Sequence, residues 1–244
     1  MHPPRSRTPG RARPDGESWR VAIADRQGAA PEFELCESAS RMVRFDRAAL
    51  TLALNVDDAW CLQGSDHELR QLVRQEQTVL QGPHCDVLTS GRTTRVEDLT
   101  ETGERWPLLE ACGALDDTVL GSVLVVPLGR SELQHGGSPI GLLTVARDDR
   151  SPFSDQAAGE LGAVADQILV RLLARWRTSQ DLDDLTGQVH DDRHLAAGLL
   201  SGLLNVPVAD ALSIMRAQAF GSGRTLHDVA RDVVAALGEP NRPS

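Results

Sequence analysis

His84 and Cys85 are adjacent, just after a Gly82-Pro83 break. An imidazolium beside a thiol favours thiolate, the form that senses oxidants, so the pair reads either as a redox sensor or as a half-buried cysteine packing a sheet. His190 and His194 stand four residues apart with Asp191 and Asp192 between them. On a helix both imidazoles would share a face, but two ligands are too few for a metal centre, and an exposed polar face is the plainer reading. His190-Asp191 also echoes metal-phosphohydrolase motifs, without the second metal-binding cluster such enzymes need. Cys36, Cys61, Cys85 and Cys112 are spread singly, as reduced and largely buried thiols would be, not in the close pairs of zinc or redox motifs. Trp60, Trp106 and the loop around Cys85 either line a small-molecule cavity between sheet and loops or are ordinary core. With no glycine-rich phosphate loop, nucleophile elbow or Ser/His/Asp order, the sequence indicates neither an enzyme nor a cofactor.

These residues need elements to hold them. Phe33 to Phe45 fits an amphipathic helix imperfectly; Ala49-Leu54 and Ala59-Leu62 predict short buried strands joined as a hairpin turning at Asn55 to Asp58. Ser65-x-x-Glu68 has capping-box spacing and predicts a helix of about 15 residues through Leu69, Leu72, Val73 and Leu80. Gly82-Pro83 ends it, and mixed loop and short helix follow, with a strand near Arg95-Val96. Val119-Leu128 and Ile140-Ala146 are nearly continuous apolar runs, expected to pair as central strands. Ser154 opens the longest helical pattern, carried by Leu161, Val164, Ala165, Ile168, Leu169, Leu172 and Leu173, with no obvious stop before Gly187. Leu182, Leu185 and Val189 extend that stripe as a connector of coiled-coil character through which two chains would pair. Three helices then follow, around Leu195 to Leu204, from Pro207 to Ala219, and after Thr225, where Thr225-x-x-Asp228 resembles a capping box.

The chain of 244 residues carries a net charge of −10, so bulk electrostatics repel nucleic acid and any such binding must be local. Every basic residue except histidine is arginine, and tyrosine is absent. No run approaches the roughly 18 to 20 apolar residues of a membrane span, and the start lacks the apolar stretch of a signal peptide, so a cytoplasmic protein without membrane contact is expected. Residues 1–30, rich in Pro and Arg, read as a solvated disordered arm whose arginines could touch an anionic partner.

Two segments resemble known families. Residues 31–172 resemble a GAF domain, a small-molecule sensory fold, of the kind found in actinobacteria. The likeness rests on Gln81-Gly82-Pro83 with Cys85-Asp86-Val87-Leu88, Ser90-Gly91-Arg92, Val96-Glu97-Asp98-Leu99, Arg105-Trp106-Pro107, Val126-Pro127-Leu128, Ile140-Gly141-Leu142-Leu143 and Phe153-Ser154-Asp155. Residues 189–238 resemble an ANTAR domain, the three-helix RNA-binding module of transcription antiterminators, through Ala196-Ala197-Gly198-Leu199-Leu200, Ala211-Leu212-Ser213-Ile214-Met215-Arg216 and Arg224-Thr225-Leu226-His227-Asp228-Val229-Ala230.

The resemblance implies an α+β chain: a GAF-like antiparallel sheet flanked by helices, a helical connector over 173–188, a three-helix bundle, and a tail at 239–244. It also implies a homodimer that binds stem-loop RNA in response to a small-molecule ligand or an upstream signalling protein. Arg216, Arg224 and His227 are the RNA-contact positions it carries over, since arginines can stack on splayed bases and clamp phosphates. Gly198 would permit close approach, to RNA or to a neighbouring helix. Ala197 stands where the family usually has Lys, and Arg193, one turn away, could partly replace that charge. From Asp181 onward nine acids face five arginines. The alternative is therefore a bundle that kept dimerisation or protein docking and lost RNA binding.

Overall fold

The computed structural model describes residues 43–55, 58–64, 67–113, 115–116, 118–129, 139–178 and 192–238. Its centre is a five-stranded, wholly antiparallel sheet ordered β2-β1-β5-β4-β3. The strands are β1 (Arg47–Asn55), β2 (Asp58–Gly64), β3 (Thr94–Val96), β4 (Ser122–Pro127) and β5 (Gly141–Arg147). The hairpin turns where the sequence predicts it, with Asn55 opposite Asp58. The two apolar runs pair as β4 and β5, buried on both faces, which explains why they lack polar alternation. Register slips between Leu50 and Thr51, where Leu62 of β2 is the extra residue, opposite a buried threonine.

Strand alternation divides the core in two. Leu50, Leu52, Leu124, Val126, Leu143 and Val145 face the long helix α4 (Asp155–Thr178), meeting Leu161, Ala165, Ile168 and Leu172. Ala49, Ala53, Val123, Val125, Leu142 and Ala146 face the other way, onto α1 (His67–Val79), α2 (Pro83–Ser90), a 3-10 turn (Leu99–Glu101) and α3 (Pro107–Ala111). The Gly82-Pro83 break ends α1 as expected and also starts α2, with Pro83 in its first turn. α4 runs unbroken past 172, so no change of element marks that expected boundary.

The last helices are α5 (Asp192–Leu204), α6 (Val208–Gly221) and α7 (Leu226–Leu237). They close on a small core of Ala196, Ala197, Ala211, Met215, Ala219, Leu226, Val229 and Ala230. So many alanines let helix axes approach closely at the cost of buried apolar area. The capping box at Thr225 and Asp228 forms in both directions, Thr225 accepting from the Asp228 amide and the Asp228 carboxylate from the Thr225 amide. Both α6 and α7 pack on α1, so the bundle sits directly against the sheet-bearing unit. Among the described residues no single helix is long and apolar enough to cross a membrane. The arm, most of the helix expected over 33–45, Ser65 of the first capping box, the connector beyond 178 and the tail lie outside the described residues.

Candidate functional site

The apolar stripe of α1 runs Leu69, Leu72, Val73, then Glu76, then Val79, so its spacing carries a carboxylate into the core. Glu76 is fully buried. A buried carboxylate must be hydrogen-bonded, and Glu76 finds its donors at the start of α2. Its Oε2 accepts from the His84 amide at 2.7 Å, and its Oε1 lies 2.7 Å from His84 Nδ1. Helix α2 has Gly82 at its N-cap, which offers no side chain; Glu76 of the preceding helix does the capping instead, where helix-terminal amides favour negative charge. Gly82 has φ 137°, and a Cβ there would collide with the Glu76 side chain, so glycine is required twice over.

The far ring nitrogen of His84, Nε2, lies 2.8 Å from Thr144 Oγ1 on β5. One buried chain, Glu76 to His84 to Thr144, thus ties α1, α2 and the sheet together. With Nδ1 donating to Glu76, a neutral ring accepts the Thr144 hydroxyl proton at Nε2, and a protonated ring donates at both ends. On the same face of the sheet, Thr51 is fully buried, and its Oγ1 meets no hydrogen-bond partner among the described residues. Thr51 pairs with Leu142 and Ala49 with Thr144, which sets the two threonines diagonally across adjacent strands.

Cys85 is buried with its thiol 3.7 Å from the Glu76 carbonyl oxygen, while the His84 ring is engaged with Glu76 and Thr144. The ring and the thiol thus meet different partners. Trp106 is 2% exposed, and its Nε1 donates to Asp86 Oδ2 at 3.3 Å. Arg105 donates to the same oxygen at 2.7 Å and stacks its guanidinium 4.6 Å from the Trp106 ring centre. Asp86 thereby joins Trp106 to the helix that carries Cys85. The side chain of Trp60 lies outside the described residues; its backbone pairs with Leu52. His190 also lies outside them, His194 is exposed, and among the described residues no group of three or more His, Cys, Asp or Glu is placed to hold a metal.

The bundle distributes its named residues over different surroundings. Arg193 is 5% exposed and its Nη1 donates to Gln77 Oε1 of α1 at 3.2 Å. Arg224 is exposed and paired with Asp232 at 2.6 Å, a contact that raises its pKa further. Arg216 is half-buried, with Nε and Nη2 shielded from solvent. His227 is half-buried; burial, then the charges of Arg74 and Arg231, push its pKa below the ordinary 6.5, against an opposite pull from Asp228 and Asp192. Ala197 is wholly inside the bundle core and offers no surface. Gly198 is exposed with open space around it, so among the described residues no helix packs on it. Arg193 and His227 therefore both lie toward α1, while Arg224 stands apart with Asp232.

Sequence reasoning missed Glu76, Thr144 and Thr51. A glutamate in an apolar stripe, seven residues before a Pro-His start, is a signal that would have found the first.

A family model described as GAF domain matches residues 33–172. No curated protein sequence matches the chain. Among solved structures, the GAF domain of an Acinetobacter phosphoenolpyruvate-protein phosphotransferase is similar at 14% identity and TM-score 0.44, over 68% of this chain and 96% of that one. The GAF domain of a two-component sensor histidine kinase from Bacillus halodurans is similar at 17% identity and TM-score 0.43, over 62% and 100%. A type II free methionine-R-sulfoxide reductase from Thermoplasma acidophilum is similar at 13% identity and TM-score 0.40, over 64% and 95%.

Proposed function

The chain belongs to the GAF domain family through residues 33–172, and on that premise we propose that it is a signal-responsive regulator that binds stem-loop RNA as a homodimer and acts by transcription antitermination. A GAF domain implies a signal-sensing role, and the ANTAR-like sequence of residues 189–238 supplies the RNA output. The observation that carries the reading is the direct seating of that bundle on α1, the helix that also delivers Glu76 to the sensory core. Signal and output thus share one rigid element.

The signal is received on the sheet face covered by α1 and α2. An unsatisfied buried hydroxyl costs about 1–3 kcal/mol, so a small polar molecule that hydrogen-bonds Thr51 beside Thr144 and His84 gains more than its contact area alone supplies. Pairing of chains is assigned to α4, where Val170 and Leu173 leave apolar side chains exposed three residues apart.

The test is electrophoretic titration of the full chain against a panel of tandem hairpins at low and moderate salt, with Arg216→Ala and Arg224→Ala alongside. Each substitution is expected to weaken loop-dependent binding about tenfold, the scale of one lost guanidinium contact. Unchanged affinity in both variants sinks the site assignment.

A second reading, a sensor whose bundle only docks, is favoured by specific observations: Gln77 and Asp232 already engage Arg193 and Arg224, and Ala197 faces inward. Absence of saturable hairpin binding at low salt would select it.

A further inference from the structure

We propose that α1 is a latch on the bundle, occupying the surface that RNA must use, so that the sensory domain and RNA compete for one face of α5 and α7. The inference rests on the RNA-binding reading and adds a regulatory contact within the chain.

The first amide of a helix has no intrahelical partner. At the start of α7 the Thr225–Asp228 capping box satisfies the amides of those two residues, and the Leu226 and His227 amides are left to other partners. The Leu226 amide donates to Thr78 Oγ1 of α1 at 2.8 Å in a buried contact, while the Thr78 hydroxyl donates to the Arg74 carbonyl of its own helix at 2.8 Å. The sensory domain therefore supplies one acceptor of the cap of an output helix 148 residues away in sequence. One residue earlier, Gln77 accepts from Arg193 of α5. One turn before Thr78, Arg74 lies near enough to His227 to depress its pKa.

Three consecutive positions of α1 consequently divide between two tasks. Glu76 points into the sensory core and is held by His84; Gln77 and Thr78 hold α5 and α7. A helix is stiff over three residues, so a ligand that displaces Glu76 from His84 also shifts Gln77 and Thr78 against the bundle. His227, which the ANTAR resemblance carries over for RNA, and Arg193, which could stand in for the Lys missing at Ala197, become available only when α1 withdraws.

Thr78→Val keeps the shape and removes the hydroxyl, leaving the Leu226 amide buried without an acceptor unless the bundle undocks. Amide hydrogen exchange on the full chain is measured for wild type and for the Thr78→Val and Gln77→Ala variants, together with affinity for tandem-hairpin RNA. Exchange at Leu226 to Ala230 is expected to rise about tenfold in Thr78→Val, with the sheet amides unchanged and RNA affinity raised several-fold. Unchanged exchange in both variants overturns the latch and leaves any wild-type RNA binding standing. Faster exchange with RNA affinity equal to wild type overturns the competition. Faster exchange with no RNA bound by any of the three proteins overturns the RNA reading, and the competition with it.

Discussion

Glu76 is the residue on which the sensory half turns, because a buried carboxylate is tolerable only while its donors hold. Replacing it by Ala leaves the His84 amide and ring N–H buried without their acceptor, at about 1–3 kcal/mol each. Urea denaturation should show that loss, against about 1 kcal/mol for Thr144→Val, which deletes a single hydrogen bond. Gly82→Ala is a sharper probe of why glycine stands there. In the wild-type background it meets both the Glu76 carboxylate and an unfavourable φ; in Glu76→Ala only the backbone term remains. The two substitutions should be non-additive by about 1 kcal/mol or more. Equal costs of Gly82→Ala in both backgrounds would mean that φ alone selects glycine. Thr51→Val belongs to the same site and goes the other way: deleting a buried hydroxyl without a partner should raise stability by up to about 1 kcal/mol. In thermal-shift titrations it should also abolish the gain from any polar ligand of this face.

At the scale of elements, what was legible followed periodicity and local chemistry. Alternation and apolar runs gave the hairpin and the β4–β5 pair, and three- and four-residue spacing gave α1, α4 and the three helices of the bundle. The Thr225–Asp228 box was legible because its chemistry is complete within four residues. The start of α2 was half legible: Gly82-Pro83 marks a break, but the group that caps the new helix is a side chain from the previous one. The Glu76–His84–Thr144 chain was not legible as a unit, since Thr144 comes from a strand 60 residues beyond His84 and meets it only through the sheet order. The contact of Arg193 with Gln77 was not legible, because nothing within its own helix shows that Gln77 lies opposite it. Gly198, in open space on α5, supplies a clean element-scale test. Gly198→Ala should stabilise the bundle by up to about 1 kcal/mol in thermal unfolding, through helix propensity alone. A loss of stability would show that something packs on that glycine.

Over the whole molecule, the contact between the two units makes docking sensitive to protons. His227 faces Arg74 of α1, Arg231 and Asp228 of its own helix, and Asp192 of α5, and in the docked state its pKa lies below the ordinary 6.5, chiefly through burial and then through Arg74. The docked form thus binds protons less readily than a form in which the imidazole faces water. By linkage, acid favours release: docking is at full strength above about pH 6.5, weakens as pH falls through that value, and continues to weaken down to the depressed docked pKa. Asp228, whose own pKa is lowered mainly by its hydrogen bond with Thr225, keeps the cap ionised through this range and loses it only below the usual carboxylate values. Exchange at Leu226 to Ala230 should therefore quicken between pH 7.5 and 5.5 after correction for the intrinsic pH dependence of exchange, and His227→Gln should flatten the response. Faster opening toward alkaline pH, or the same slope in the variant, would mean that the contact between α1 and α7 is indifferent to the imidazole and that α1 holds the bundle through Thr78 and Gln77 alone.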